Sequence, residues 1–152
     1  MENGQVGRVG LVGRVGQVSR EGRMAQTGRW ALPAVVLGHL AINIAHGQAH
    51  QGAQVPLSFA ATLFVYIVIL AGPIVGLILS VWRPAAGGWI IAATMAGALV
   101  FGLINHFIIA GPDHVGHVAA QWRTLFGTTA ALLLVSEAVG IWTGIRCAAR
   151  NV

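Results

Sequence analysis

Apolar residues run on for some twenty positions at a time before a proline, a glycine or an arginine interrupts them. About 20 such residues cross the hydrocarbon of a bilayer as one helix. The interruptions divide the chain into four spans, about Trp30 to Gln48, Leu57 to Trp82, Gly88 to Ala110 and Trp122 to Ile145. Pro33 falls in the opening turn of the first span, where a missing amide N–H does no harm. Gly72-Pro73 predicts a kink in the second, which Arg83-Pro84 closes. Gly111-Pro112 ends the third, leaving Asp113 to cap whatever helix follows and residues 114–121 as an interfacial turn or helical extension. The predicted fold class is an all-α integral membrane protein, a four-helix transmembrane bundle over residues 30–147.

Residues 1–29 do not share this pattern. Val6-Gly7-Arg8-Val9-Gly10 recurs as Val12-Gly13-Arg14-Val15-Gly16, with too many glycines for a helix. This predicts a disordered Gly/Arg/Val-rich tail, or an extension ahead of a true start at Met24. The first span also has an alternative reading as a signal peptide, because Arg29, an apolar run and the small residues Ala45 and Ala49 loosely fit one. A histidine and an asparagine inside the apolar run argue against it.

The polar positions inside the spans are few and ordered. His39, Asn43, His46 and His50 are spaced by four, three and four residues, so at 100° per residue they share an arc of roughly 60° on one helix face. Lipid offers such groups no hydrogen-bond partner, so this face must point into the bundle. On the third span, Asn105 and His106 sit near the far end, with Gly102, Ala98 and Met95 beneath them at helical spacing. The small residues Gly102 and Ala98 leave room for a neighbouring helix or, less simply, a flat cofactor.

At about 1.5 Å per residue, His46 lies about 24 Å along its helix from Trp30 and His106 about 27 Å along its own from Gly88, so the two can meet. Asp113, His114 and His117 lie just beyond. Glu137 is the one acidic residue in mid-span. It matches His39 in depth, both being on the order of 14 Å from the cytoplasmic edge, which predicts a buried His39–Glu137 pair.

Arg29, Arg83, Arg146 and Arg150 flank one side of the spans and only Arg123 the other. By the positive-inside rule both termini are cytoplasmic and loops 49–56 and 111–121 face outward. The pairs Gly72/Gly76 and Gly140/Gly144 permit close helix contact, although in a chain of 21 glycines they speak for tight packing more than for dimers.

Composition excludes several classes. The chain is 56% hydrophobic and 9% charged, against roughly 25% charged for a soluble domain, which leaves no sizeable soluble domain. The net charge of +5 comes from nine arginines and no lysine. Five of them precede Trp30 with no aromatic residue to stack on bases, which fits a basic membrane flank and not nucleic-acid binding. The expected partners are the lipid bilayer and either other membrane subunits or a second copy of the chain. The expected location is a bacterial inner membrane. The single cysteine, Cys147, excludes an intramolecular disulfide, a CxxC motif and covalent haem attachment through CxxCH. There is no nucleophile elbow, phosphate loop or carboxylate pair, so no enzyme class is assigned.

Three readings of the histidines remain. The first is a transition-metal site for copper, zinc or iron, because neutral imidazole is a common ligand for all three. Its ligands would be His46, His106, His114 and His117, with His50 and Asp113 as further ligands or as groups that orient the rings; Asn43 and Asn105 would support them. The second is haem b held between His46 and His106 for electron transfer, for which four-helix membrane cytochromes offer a comparison of architecture only. The third has no cofactor: the histidines and Glu137 form a protonatable lining in an accessory or assembly subunit.

Overall fold

The computed structural model describes residues 30–150. The expected N-terminal tail, Arg29 and the alternative start at Met24 lie outside them. Among the described residues all regular structure is helical, in four helices long and apolar enough to cross a membrane: α1 (Trp30–Gly52), α2 (Phe59–Ser80), α3 (Pro84–Ile108) and α4 (Ala120–Ala149). Their outer faces carry a belt of large apolar side chains, among them Leu37, Ile44, Ile67, Ile78, Val100, Leu132 and Val135. Apolar exposure on this scale suits lipid and would be an aggregation hazard in water.

The spans differ at their ends from the sequence expectation. α1 continues to Gly52, α3 begins at Pro84 and α4 runs from Ala120 to Ala149. Pro84 occupies the first helical turn, where its ring is tolerated, so it opens α3 after the short break at Arg83. The loop before α4 is a series of turns, and the cap position of α4 is Ala119, which makes no side-chain cap. Asp113 therefore does not cap α4; its carboxylate lies instead against histidines of α1 and α3, described below.

Two stretches depart from α geometry. Val65–Ala71 and Ile104–Ile108 are π-helical, a wide turn often found at functional sites. The first ends directly before Gly72-Pro73, where Gly72 N–H bonds to Ile67 O, five residues back. The irregularity expected at Pro73 thus takes the form of a widened turn on its N-terminal side. The second closes with Ile109 N–H on Ile104 O at 2.8 Å, and it carries His106.

From Leu32 onward the helices form one compact unit. One end is closed by Leu32, Val36, Ile91 and Met95, with Leu77, Ile141 and Cys147 packed against them. The glycine pairs work here, inside the chain. A Cβ on Gly144 would stand 2.7 Å from Gly88 O, and one on Gly140 would stand 2.9 Å from Met95 Cγ. Gly76 meets Ile91 and Gly87 in the same way. The opposite end is packed by Ala49, Val118 and Phe126, with Val55, Val115 and Trp122 around them.

Candidate metal centre

His39 and His46 are two turns apart on the buried face of α1, and both are buried. Each turns a ring nitrogen toward a hydroxyl of α4. His46 Nδ1 lies 2.9 Å from Thr129 Oγ1, and His39 Nδ1 lies 3.1 Å from Ser136 Oγ. The two contacts are seven residues apart on both helices, as an antiparallel register requires.

In each case the hydroxyl proton is already committed to its own helix. Thr129 donates to Leu125 O at 2.7 Å and Phe126 O at 3.1 Å, and Ser136 donates to Leu133 O at 2.9 Å. A hydroxyl has one proton and two lone pairs, so each accepts from the imidazole. Both rings therefore carry their proton on Nδ1, and their Nε2 atoms hold lone pairs.

At this point the two levels diverge. His39 Nε2 accepts from Asn43 Nδ2 at 2.9 Å, and Asn43 also donates to His39 O at 3.0 Å. His46 Nε2 instead faces His106 Nε2 at 3.2 Å.

His106 is fixed from behind by the loop. Its Nδ1 lies 3.1 Å from Asp113 O and 3.2 Å from Asp113 Oδ1. Both are acceptors, so Nδ1 carries a proton and donates. The N–H of Val115 returns to His106 O at 3.0 Å. Asp113 Oδ1 also stands 3.2 Å from His50 Nε2, so one carboxylate bridges the ends of α1 and α3. Burial works against the charge of Asp113, but the adjacent imidazoles of His106, His50 and His46 hold its carboxyl below the usual carboxylate range.

The three histidines gather around Phe126, which is fully buried, with ring centroids 4.8 Å from His46, 4.8 Å from His50 and 5.3 Å from His106. His46, His50 and His106 each bring a ligand atom within 4.8 Å of the others. Such a set is able to hold a metal ion.

Several expected members lie elsewhere. His114 and His117 approach each other with ring centroids 5.2 Å apart, but the turns of the loop carry them away from the cluster, and His117 is exposed. His114 Nδ1 accepts from Gly116 N–H at 3.1 Å, and His117 Nδ1 donates to Gly111 O at 2.9 Å. These backbone contacts hold the loop's own shape. Asn105 donates back to Phe101 O at 2.8 Å.

The expected His39–Glu137 pair is not made. Ser136 and Glu137 are consecutive, hence about 100° apart around α4. The one that faces His39 is the serine, which with Asn43 satisfies both ring nitrogens. Glu137 is 2% exposed and its Oε2 has no hydrogen-bond partner; it faces a cavity shared with Asn43, His46, His50 and His106. Thr129, Ser136 and Phe126 escaped the sequence reading. The signal for Phe126 and Thr129 was the periodic stripe Phe126, Thr129, Leu133, Glu137, Gly140 on one face of α4; Ser136 lies off that stripe.

Comparison with protein-family profiles, curated proteins and solved structures finds no match to this chain.

Proposed function

We propose that this is a multi-pass membrane protein of a bacterial inner membrane that binds a transition-metal ion, copper, zinc or iron, at His46, His50 and His106, in the service of redox chemistry or metal handling. One observation carries the reading. The hydrogen bonds of Thr129 and Asp113 point the Nε2 lone pairs of His46 and His106 at each other across 3.2 Å. Two lone pairs at that distance repel unless a cation lies between or beside them. Nitrogens bound at about 2.0–2.1 Å to one tetrahedral ion stand roughly 3.3–3.4 Å apart, which is close to this separation. Thr129 and Asp113 supply the outer partners that ligating imidazoles generally have. Three imidazoles leave a further coordination position, as catalytic zinc sites do.

The same distance gives less support to haem b. Ligands on opposite faces of a haem iron stand roughly 4 Å apart with the macrocycle between them. A proton shared between the two rings is the second reading, because 3.2 Å is also a hydrogen-bond length; it corresponds to a cofactor-free, protonatable lining.

Elemental analysis and the visible spectrum of the protein purified from native membranes separate the three. The metal reading expects a stoichiometric transition metal without a Soret band, lost in His46→Ala and in His106→Ala while both variants still insert. Full occupancy in both variants would overturn the ligand assignment. A protein that neither retains nor takes up Zn²⁺, Cu²⁺ or Fe²⁺ would leave the shared proton.

A further inference from the structure

The histidines and Asp113 line one part of a cavity of about 390 Å³ whose other walls are largely apolar, including Ile69, Leu70, Phe101 and Leu133. It exists because the outer part of α2 stands off from the bundle: residues Phe59–Phe64 contain no buried position. Among its lining residues Gly47, Gln51, Leu57 and Tyr66 are exposed, and they belong to α1, α2 and the segment that joins them. The mouth is therefore lateral. The same flanks of α1 and α2 expose Ile44 and Ile67, each 62%, so the mouth is flanked by lipid-facing surface.

Deep in this cavity is the Glu137 carboxyl, with its unpartnered Oε2. Thr129, at the level of the histidines, is eight residues from it, about 12 Å along α4. Glu137 thus forms a separate polar point below the cluster. An unsatisfied buried carboxyl oxygen is costly, and the group that satisfies it has a definable chemistry. An ionised carboxylate needs a donor and a protonated one needs an acceptor; a hydroxyl is both. An ammonium would serve only the first. Phe101, stacked on Phe64 with centroids 4.9 Å apart, gives the cavity a flat, backed aromatic wall suited to a ring. Mostly apolar walls with a few convergent polar groups are the usual make-up of a small-molecule site.

We infer that this cavity is a binding site for a bilayer-soluble phenol, which enters between α1 and α2, lays its ring against Phe101 and hydrogen-bonds through its hydroxyl to Glu137. The site goes beyond the metal reading and does not need the metal, since Glu137, Phe101 and α2 take no part in coordination.

The test uses the full-length protein in detergent with chelator present, so that its outcome is independent of metal binding. The probes are 4-heptylphenol and its methyl ether, 4-heptylanisole, followed by the saturable rise in unfolding temperature that a ligand of the native state produces. The phenol should bind about tenfold tighter than the ether, which lacks the donor. In Glu137→Leu the two probes should bind within about twofold of each other. Gly102→Leu, which projects into the cavity from a position whose Cβ meets nothing closer than 3.7 Å, should bind neither probe. If that variant does not fold, Gly47→Trp at the mouth replaces it, because a Cβ there has nothing within 4 Å. Equal binding of phenol and ether to the unsubstituted protein, or undiminished binding in the cavity-filling variant, would overturn the proposal.

Discussion

Two levels of the bundle, one at His39 and one at His46, are built from the same parts and end in opposite chemistry. Each has an imidazole on α1 donating from Nδ1 to an α4 hydroxyl whose own proton is held by its helix. At the His39 level an asparagine one turn along the same helix fills the remaining nitrogen. At the His46 level that nitrogen meets another imidazole. A histidine inside a membrane helix is therefore not functional by virtue of its depth or burial. What matters is whether its last lone pair has been satisfied locally. At the first level the ring is a cross-link between helices; at the second it is an available ligand.

The sharpest way to break this contrast is to exchange ring for amide at both levels. His46→Gln should lower metal affinity by at least about a hundredfold, since an imidazole ligand is lost. His39→Gln should leave affinity within about threefold and show its effect in unfolding experiments, where losing a buried hydrogen-bonded group costs about 1–3 kcal/mol. Metal titration of both variants checks this, and a comparable loss of affinity in His39→Gln would erase the distinction.

The hydroxyls should separate in the same way with smaller effects. Thr129→Val should cost 10- to 100-fold in metal affinity, the usual range for removing a group that orients a ligating imidazole. Ser136→Ala should leave affinity unchanged and cost about 1 kcal/mol in stability.

Asp113 tests the loop's share in the open level. Its carboxyl lies below the ordinary range in the folded protein. Its contribution to stability is therefore complete above the unfolded value of about 3.9 and is lost as the pH falls through the folded value. Asp113→Asn should be less stable than the parent at neutral pH and converge with it in acid; a constant difference across that range would show that the charge is not what Asp113 contributes.

The smallest effect is a coupling. A double-mutant cycle between His39→Leu and Ser136→Ala should show an interaction of about 0.5–1.5 kcal/mol, whereas the cycle between His39→Leu and Glu137→Leu should be additive within about 0.5 kcal/mol.

The same contrast explains which parts of the site were legible in the sequence. The 60° arc of His39, Asn43, His46 and His50 placed four polar groups on one face, and counting residues from the helix ends put His46 level with His106. Both deductions use only helical rise and periodicity, which hold wherever a helix is long and apolar. The depth argument also located the α4 partner of His39 to within one residue. It named Glu137 where Ser136 makes the bond, because axial depth says nothing about rotation and a step of one residue is about 100°. His114 and His117 fit a metal motif only if their segment were helical. In the folded loop, backbone hydrogen bonds of residues 111, 114 and 116 hold them outward.

The sequence by itself determined four apolar helices and an inward polar face on the first, because both follow from the cost of placing a polar or charged group in hydrocarbon. Only the tertiary structure decided which imidazole nitrogens are left with lone pairs, that Asp113 ties α1 to α3 in place of capping α4, and that α2 stands away to leave a cavity over Glu137. Those outcomes depend on the rotation of each helix about its axis and on the path of the loops, and both are set by packing between distant segments.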